Sequence, residues 1–407
     1  MNILFLTIGR IDDIEEHSLY PDLLRQFRNQ GHHVYIVFPN QKRTGQKTEA
    51  FEKHGAHMLG VQIGNITKCG MIEKGISTLM IESQYKKAIQ KYFADVKFDL
   101  VMYSTPPITL AGVVDYIKKR DGAKSYLLLK DIFPQNAVDL GMMTTTGPKS
   151  IIYKMFRRKE QKLYDLSDHI GCMSPANVDF VLKYNPEIPA EKVEVCPNCI
   201  EPLDMSVTAE ERSSMRKKYG IPEDKVVFVY GGNLGRPQGI PFLIDCIRSQ
   251  KDNPEAFFLV VGSGTEYGKL EAFAKEEQQK NFKLMSALPK EDYDKMAASC
   301  DVGMIFLDHR FTIPNFPSRL LAYMQAKLPV LACTDPNTDV GKIAEEGGFG
   351  WWCESNSVEA FGEKVDLACK ANRKVMGEAA DRYLKEHYTV QKGYQKFMDH
   401  FKGDNQI

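Results

Sequence analysis

The sequence predicts an α/β protein with two Rossmann-like, doubly wound domains that face each other across a cleft. Short runs rich in valine and isoleucine alternate with longer amphipathic patterns, which is typical of βαβ units and parallel sheets. A turn- and charge-rich stretch at residues 201–224 interrupts this alternation, which then restarts. The length of 407 residues fits two such domains. We expect ligands beyond the carboxyl ends of the strands, in the cleft.

The first half of the chain predicts a domain over residues 1–200. Each expected strand is a short, mostly apolar run, and an amphipathic pattern follows most of them. The expected strands are Ile3–Ile8, Val34–Phe38, Leu100–Tyr103, Ser125–Leu129, His169–Met173 and Val193–Val195. The expected helices are Tyr20–Gln30, Ile72–Phe93, Leu110–Arg120, Lys149–Leu166 and Ala176–Tyr184.

The second half predicts a similar domain over residues 201–385. Its expected strands are Val226–Tyr230, Phe257–Val261, Phe282–Met285, Val302–Phe306 and Val330–Ala332. Its expected helices are Ile240–Arg248, Tyr267–Gln279, Lys290–Ala298 and Ser318–Ala326. Residues 357–401 predict helices without strands, and we expect residues 386–407 to pack back on the first domain.

The charge balance argues against a nucleic-acid partner. Fifty-three basic and fifty-three acidic side chains give a formal net charge of zero, so the long-range attraction to a polyanion is missing. No apolar stretch reaches the roughly 18–20 residues that span a bilayer, and no basic residue precedes the apolar N-terminal run. Nine scattered cysteines suit a reducing compartment. We therefore expect a cytoplasmic protein.

One cysteine pair has the spacing of a metal or redox motif. Cys196 and Cys199 form a CxxC, but no second pair and no nearby histidine completes a zinc site. A turn that happens to hold two thiols is the simpler interpretation, and no metal site is predicted.

A glycine-rich loop is the most informative segment. The apolar run at 227–230 leads into four glycines within residues 231–239, and a helical pattern follows. Glycines let the backbone approach a bulky anion, the helix N-terminus favours negative charge, and Arg236 adds a cation. An ordinary turn between a strand and a helix also favours glycine. Residues 260–265 repeat the pattern more weakly and are as typical of a packing turn.

The order of these segments resembles the retaining GT-B glycosyltransferases of the family-4 type. In particular, it is similar to bacterial O-antigen and capsule sugar transferases. The matching segments are GNLGRPQG at 232–239, LVVGSG at 259–264, LPKEDY at 288–293, DVGMIF at 301–306, NFPSRLLAYM at 315–324, LPVLA at 328–332, KDIFPQN at 130–136 and CPNCIE at 196–201. The last matches an interdomain turn, which favours a structural role for the CxxC.

The resemblance implies a metal-independent transferase that needs no cofactor and takes a nucleotide-sugar, with UDP as the expected nucleotide. The first domain would bind a glycan or lipid-linked acceptor, through Glu15, Glu16 and His17. The second domain would bind the donor. The implied donor-binding residues are Gly232, Asn233, Gly235, Gln238, Gly239, Gly262, Gly264, Leu288, Asn315, Phe316 and Ser318.

Three residues are catalytic candidates. Arg236 and Arg319 would stabilise the departing diphosphate, since no metal is expected to do so. Asp131 follows a strand of the first domain and could accept the proton of the acceptor hydroxyl. A cap for the following turn explains Asp131 equally well, and an ordinary solvated helix arginine is the alternative for Arg319.

The sequence also departs from the family pattern. Two glutamates that relatives carry eight positions apart are Pro314 and Ala322 here, and the loop cations of many relatives are Asn233 and Gln238. A catalytically weakened regulatory partner and a sugar-nucleotide epimerase therefore remain alternatives to a surface-polysaccharide transferase.

A basic amphipathic segment predicts a membrane contact. Residues 153–164 hold five basic side chains, one acidic side chain and several apolar ones. Such a helix can lie on an anionic membrane surface, and a solvated helix face is the alternative. We expect a peripheral contact with the inner face of the cytoplasmic membrane.

Overall fold

The computed structural model describes residues 1–401, and only the backbone of Met71. The chain divides into two compact units. The first comprises Met1–Glu201 together with the segment that begins at Val390, and the second comprises Pro202–Thr389. Each unit contains a sheet flanked by helices, so the predicted α/β class with two doubly wound halves is confirmed.

The first unit contains an eight-stranded sheet in the order β3-β4-β2-β1-β5-β6-β7-β8. Its strands are β1 (Asn2–Leu6), β2 (His33–Gln41), β3 (Glu49–Lys53), β4 (Ala56–Ile63), β5 (Leu100–Ser104), β6 (Lys124–Leu129), β7 (His169–Cys172) and β8 (Val193–Val195). Its helices are α1 (Leu19–Asn29), α2 (Met71–Tyr92), α3 (Ala111–Asp121), α4 (Gln135–Asp139), α5 (Ser150–Leu166), α6 (Pro175–Tyr184) and the terminal α15 (Val390–Asp399).

The second unit contains a six-stranded parallel sheet in the order β11-β10-β9-β12-β13-β14. Its strands are β9 (Val226–Asn233), β10 (Ala256–Ser263), β11 (Phe282–Ser286), β12 (Val302–Phe306), β13 (Val330–Thr334) and β14 (Gly350–Glu354). Its helices are α7 (Ala209–Tyr219), α8 (Ile240–Ser249), α9 (Tyr267–Glu277), α10 (Lys290–Ala298), α11 (Arg319–Gln325), α12 (Val340–Glu346), α13 (Val358–Lys370) and α14 (Arg373–His387).

The strands form because most of them are buried on both faces. In β5, β12 and β13 every residue is buried, which is why these strands are continuous apolar runs rather than alternating patterns. All eleven predicted strands and all nine predicted helices are present, with ends that differ by a few residues. Glycine or a glycine-led turn ends several helices, such as α3 at Gly122 and α7 at Gly220.

Some elements were missed. The structure has a helix, α7, inside the stretch that we expected to be irregular, and Thr208 and Glu211 form a reciprocal capping box at its start. That signal was present in the sequence. The β3–β4 hairpin was also missed, because β3 is exposed and depends on antiparallel pairing with β4. Strand β14 was missed as well, and it pairs with β13.

Helix α15 belongs to the core of the first unit. Phe397 is buried, and its ring lies 5.4 Å from that of Phe27 and 4.2 Å from that of Tyr126. Among residues 1–401, the structure has no helix with the length and apolar character needed to cross a bilayer.

Candidate active site

The strand order of the second unit reverses between β9 and β12. Chain order runs from β9 outward to β11 on one side, and from β12 outward to β14 on the other. At such a switch point the loops after the two central strands diverge and leave a crevice at the carboxyl edge of the sheet. The glycine loop follows β9, and the loop that leads to Arg319 follows β12. Both sequence-predicted donor segments therefore belong to this edge.

The glycine loop is held close to the neighbouring strand by backbone contacts. Gly232 has a φ of +111°, and Gly239, which precedes α8, has a φ of +57°, so both require the left-handed region that favours glycine. Gly262 pairs with Gly232 in the sheet, and a Cβ on Gly262 would overlap the carbonyl oxygen of Gly232. A Cβ on Gly264 would overlap the carbonyl oxygen of Leu234. These glycines therefore permit close backbone packing.

Inside the loop, one side-chain oxygen accepts two hydrogen bonds. The Oε1 of Gln238 accepts hydrogen bonds from the backbone N–H of Gly235 and from Nδ2 of Asn233, each at 3.0 Å. The N–H of Gly239 donates to the carbonyl of Arg236 at 3.1 Å. Four predicted donor-binding residues thus lie together in this loop, where their polar groups pair with each other or with the backbone.

Arg319 lies over the start of the glycine loop. It is the first residue of α11, one position after the predicted start of this helix at Ser318. Its guanidinium carbon is 4.2 Å from the centroid of the Tyr230 ring, and its Nη2 is 3.7 Å from the position that a Cβ on Gly232 would take. Among residues 1–401, its buried Nη1 has no hydrogen-bond partner. A buried guanidinium nitrogen without a partner is costly, so this geometry favours a negatively charged ligand.

Three tyrosines, Tyr230, Tyr293 and Tyr323, support this arrangement, and none of them was among the predicted site residues. Tyr323 accepts from the N–H of Gly231 at 3.2 Å and lies 3.1 Å from the carbonyl of Val229. A Cβ on Gly231 would overlap the hydroxyl of Tyr293. Burial raises the pKa of Tyr323 to about 12, so this hydroxyl stays protonated. Only the helical spacing of Arg319 and Tyr323, four positions apart on α11, could have indicated that they share a face.

The second candidate cation, Arg236, has a different environment. Its side chain is 60% exposed, and its Nε lies 4.0 Å from Oε1 of Glu266. Lys269 also pairs with Glu266. Arg236 is therefore an exposed cation at the edge of the loop, whereas the guanidinium of Arg319 lies against an aromatic ring.

The loop before α11 contains a second unpartnered donor. In the described part of the chain, the buried Nδ2 of Asn315 has no hydrogen-bond partner, and the backbone carbonyl of Asn315 accepts from Oγ1 of Thr338 at 2.5 Å. Phe316 is buried, with its ring 6.2 Å from that of Tyr388, and Ser318 is exposed. Leu288 follows the edge strand β11 and is half-buried.

An unpredicted carboxyl group lies beside this loop. Asp335 follows β13, and its Oδ1 accepts from the backbone N–H groups of Asn337 and Thr338 at 2.9 and 3.2 Å. Its Oδ2 is buried without a partner. Burial raises the pKa of Asp335 to about 6, against the opposing effect of these hydrogen bonds.

In the first unit, Asp131 lies at the corresponding edge of the other sheet. Its Oδ1 accepts from Nδ2 of Asn136 at 2.7 Å, and its backbone carbonyl accepts from Oγ1 of Thr105 at 3.0 Å. The same hydroxyl accepts from the N–H groups of Lys130 and Asp131. Burial raises the pKa of Asp131 to about 6. Such a group changes charge close to neutral pH, as a proton acceptor must.

The predicted acceptor residues lie in the loop after β1. Glu15 pairs with Arg28 at 2.5 Å, and Nδ1 of His17 lies 3.3 Å from Nη2 of Arg25. Within the described part of the chain, His17, Asp22 and Glu201 form the one group with metal-like spacing. Arg25 contacts all three, so a guanidinium already supplies the positive charge there.

Glu16 differs from Glu15 and His17, because its side chain does not contact an arginine among residues 1–401. Its side chain is largely exposed, and partial desolvation together with the negative charges of Asp12 and Asp13 raises its pKa.

In the CxxC, Cys196 and Cys199 are buried free thiols with raised pKa values, and Lys130 donates to the carbonyl of Cys196 at 3.2 Å. This pair therefore fills space in the core.

Comparison with known proteins places this geometry in a family. Residues 211–383 match the family described as "Glycosyl transferases group 1". The chain is 27% identical over 301 residues to WbjE of Pseudomonas aeruginosa, which is named as a glycosyltransferase. The aligned region covers 74% of this chain and 73% of WbjE. It is 23% identical over 295 residues, 71% of each chain, to WcaI of Escherichia coli K12, named as a glycosyl transferase of colanic acid biosynthesis.

Solved structures agree on the fold. Anabaena Alr3699/HepE, crystallised in complex with UDP and glucose, superposes with a TM-score of 0.69 at 14% identity. The match covers 99% of this chain and 100% of HepE. The protein is thus a glycosyltransferase of the GT-B fold, and its residues 211–383 form a glycosyl transferases group 1 domain.

Proposed function

We propose that the protein transfers a sugar from a UDP-sugar to a glycan or lipid-linked glycan, with retention of configuration, in the synthesis of a bacterial surface polysaccharide. The second unit, residues 201–385 in the sequence division, would bind the donor, and the first would bind the acceptor. The UDP and glucose in HepE support the donor class, and the role named for WcaI supports the pathway. No metal or cofactor takes part in the proposal.

The observation that carries the donor assignment is the buried Nη1 of Arg319, which has no hydrogen-bond partner among residues 1–401, on a guanidinium beside the glycine loop. A diphosphate is the anion whose geometry suits it, because a planar guanidinium can bind two phosphate oxygens at once. The loop already holds one oxygen between two N–H donors, namely Oε1 of Gln238. A phosphate oxygen of the nucleotide-sugar would take the place of Oε1 between these N–H groups, and the side chain of Gln238 would be released. Arg236, exposed at the loop edge, would add charge.

The donor sugar would be held by the loop before α11. The family glutamates are absent, since Pro314 and Ala322 stand in their places. The unpartnered Nδ2 of Asn315 offers a neutral donor for a sugar hydroxyl instead. On the acceptor side, Asp131 would accept the hydroxyl proton, and the exposed carboxylate of Glu16 would bind the acceptor.

Arginine variants test the donor site. Arg319→Ala should lower turnover by about 10²–10³, because one charge-stabilising contact in the transition state contributes about 2–4 kcal/mol. Arg248→Ala is the matched control, since Arg248 is a surface arginine of the same unit that pairs with Asp245 and Glu277 at the end of α8. The measurement is nucleotide release from a panel of UDP- and GDP-sugars, with product configuration by NMR.

Three results would contradict the proposal. Near-normal turnover of Arg319→Ala would remove this residue from the site. Donor binding by the wild-type protein without turnover would favour a regulatory partner, and an isomerised donor would favour an epimerase.

The membrane contact rests on exposed apolar side chains at the starts of two helices. In α5, Ile151 is 71% exposed, and Ile152 and Met155 are also exposed beside Lys154 and Arg158. Arg157, in contrast, turns inward and pairs with Glu160. We propose that this outer face lies on the anionic inner surface of the cytoplasmic membrane.

Helix α2 offers a second such face. Ile72 is 81% exposed, and Ile76, Leu79 and Met80 continue the stripe at helical spacing. Helix α3 packs against both α2 and α5, so the two apolar faces belong to one helical layer. Exposed lysines, Lys68 and Lys74, accompany the stripe on α2.

Vesicle sedimentation tests the membrane contact. The wild-type protein should sediment with phosphatidylglycerol vesicles at low salt and less at high salt, because each basic residue contributes about 1 kcal/mol near the surface. Ile72→Ser with Ile76→Ser should weaken binding, whereas Leu367→Ser with Val375→Ser, exposed aliphatics of the second unit, should not. Absence of wild-type binding at low salt would remove the proposal.

A further inference from the structure

We propose that a cavity between α5 and α6 binds one uncharged sugar ring of the acceptor. The cavity has a volume of about 170 Å³ and belongs entirely to the first unit. The inference rests on the proposed glycan acceptor and adds a subsite to it. None of the acceptor residues expected from the sequence lines this cavity, and its walls come from the inner face of the helix whose outer face was assigned to the membrane.

Aromatic rings form the walls. Tyr153 projects from α5, and Phe180 and Tyr184 project from α6 with their ring centroids 4.4 Å apart. Tyr184 is 55% exposed, so the cavity is reached from solvent past its ring. The flat C–H faces of a pyranose ring suit such walls, because they bury apolar surface while the hydroxyls at the ring edge stay available for hydrogen bonds.

The floor is polar, and its charges are already paired. Glu160 is buried and accepts from Nη1 of Arg157 at 2.7 Å and from the hydroxyl of Tyr164 at 2.8 Å. Arg157 also donates to the side chain of Asn185. An ionic ligand would have to break this network and leave a buried charge without its partner, which is expensive. A neutral, hydroxylated ligand can instead use the remaining lone pairs of the carboxylate.

The volume of the cavity also limits the size of the ligand that can bind. A volume of 170 Å³ corresponds to about five or six water molecules at about 30 Å³ each. This suits a single sugar ring and lies below the roughly 300–1,000 Å³ of pockets for drug-sized ligands.

The position along the chain connects the cavity to the proposed chemistry. Ile132 and Pro134 line it, and they stand one and three positions after Asp131 in the loop after β6. The charge of Asp131 is also among the causes that raise the pKa of Glu160, although burial is the largest. An acceptor sugar in the cavity would therefore sit next to the segment that carries the proposed proton acceptor.

Ligand-detected saturation-transfer NMR tests the cavity without a donor. The probes are the methyl glycosides of glucose, galactose, mannose and N-acetylglucosamine, with uridine as a nucleoside control. At least one glycoside should bind the wild-type protein. Tyr153→Ala should weaken that binding about two- to tenfold, the size expected for the loss of one aromatic contact. Tyr184→Ala, at the rim, is the second variant in case Tyr153→Ala fails to fold.

Phe51→Ala is the matched control, because Phe51 is an exposed aromatic residue of the same unit on β3 and does not line the cavity. Absence of glycoside binding, binding that neither tyrosine variant weakens, or competition by uridine at equal strength would overturn the proposal. The turnover measurement with the panel of nucleotide-sugars tests the proposed function separately. Glycoside binding at the cavity without turnover of any donor would contradict the proposed function but not the sugar-binding cavity.

Discussion

The carboxyl edges of the two sheets present opposite kinds of site. At the edge of the first sheet, Asp131 is a carboxyl group whose Oδ1 accepts from Asn136 and whose main chain is tied to Thr105. At the edge of the second, Arg319 and Asn315 keep buried donors without partners. A partnered carboxyl with a raised pKa is prepared to exchange a proton, whereas unpartnered donors are prepared to receive an anion and a hydroxyl.

The two units also differ in how they provide space for a ligand. In the second unit, room comes from glycines whose missing side chains allow backbones to touch, as at Gly262 and Gly232. In the first unit, room comes from side chains that stand apart, as at the cavity between α5 and α6. A backbone cradle suits a phosphate, which every nucleotide-sugar carries, and a side-chain cavity suits the variable sugars of an acceptor.

The largest effect is expected from the carboxyl group of the first unit. Asp131→Asn should lower turnover by about 10²–10⁴, the usual contribution of a general base. Because a base must be ionised and the pKa of Asp131 is raised to about 6, wild-type turnover should rise as the pH increases through 6 and then level off. The variant should lack this rise. The measurement is turnover against pH at saturating donor and acceptor.

Asp115→Asn is the control for this prediction, since Asp115 is an acidic residue on α3 of the same unit that pairs with Lys119 on the surface. Unchanged turnover of Asp131→Asn would leave Asp131 as a cap for the following turn and would remove the contrast between the two edges.

The glycine cradle of the second unit should show the next largest effect. Gly262→Ala places a methyl group on the carbonyl oxygen of Gly232, which cannot rotate away, so we expect a loss of about 3 kcal/mol or more and weaker donor binding. Gly268→Ala, in α9 with open space around it, should instead stabilise by about 0.5–1 kcal/mol. Urea unfolding and UDP titration measure both. Equal stability of the two variants would contradict the close backbone packing.

The smallest effect concerns Asp335, beside the donor site. Its pKa is raised by burial to about 6, whereas an unfolded aspartate ionises near 3.9. Between these values the unfolded chain loses its proton first, so the free energy of unfolding should fall as the pH rises from about 4 to 6 and stay low above. The loss is about 2 kcal/mol, and Asp335→Asn should remove it.

Urea unfolding at pH 4.5 and 7.5 measures this difference, with Asp245→Asn on the surface of α8 as the control. A pH dependence that persists unchanged in Asp335→Asn would show that another group is responsible.

Much of the fold follows from local pattern. Buried parallel strands are continuous apolar runs, so β12 could be predicted to the residue. Strand β3 could not, because it is exposed and exists through its pairing with β4. Helix α7 was missed for a different reason: its capping box was readable, but the charge-rich composition hid it.

The amino-acid sequence by itself determined the α/β class, the two halves and the segments of the proposed donor site, because periodicity, glycine spacing and motif order are properties of the chain. Only the tertiary structure decided which of two candidate arginines is held in place, since burial over Tyr230 depends on residues 89 positions apart in the chain. It also decided that Asp131 ionises near 6 and that Gln238 is paired within its loop. Desolvation and hydrogen bonding act through space, and the neighbours that cause them are brought together by folding.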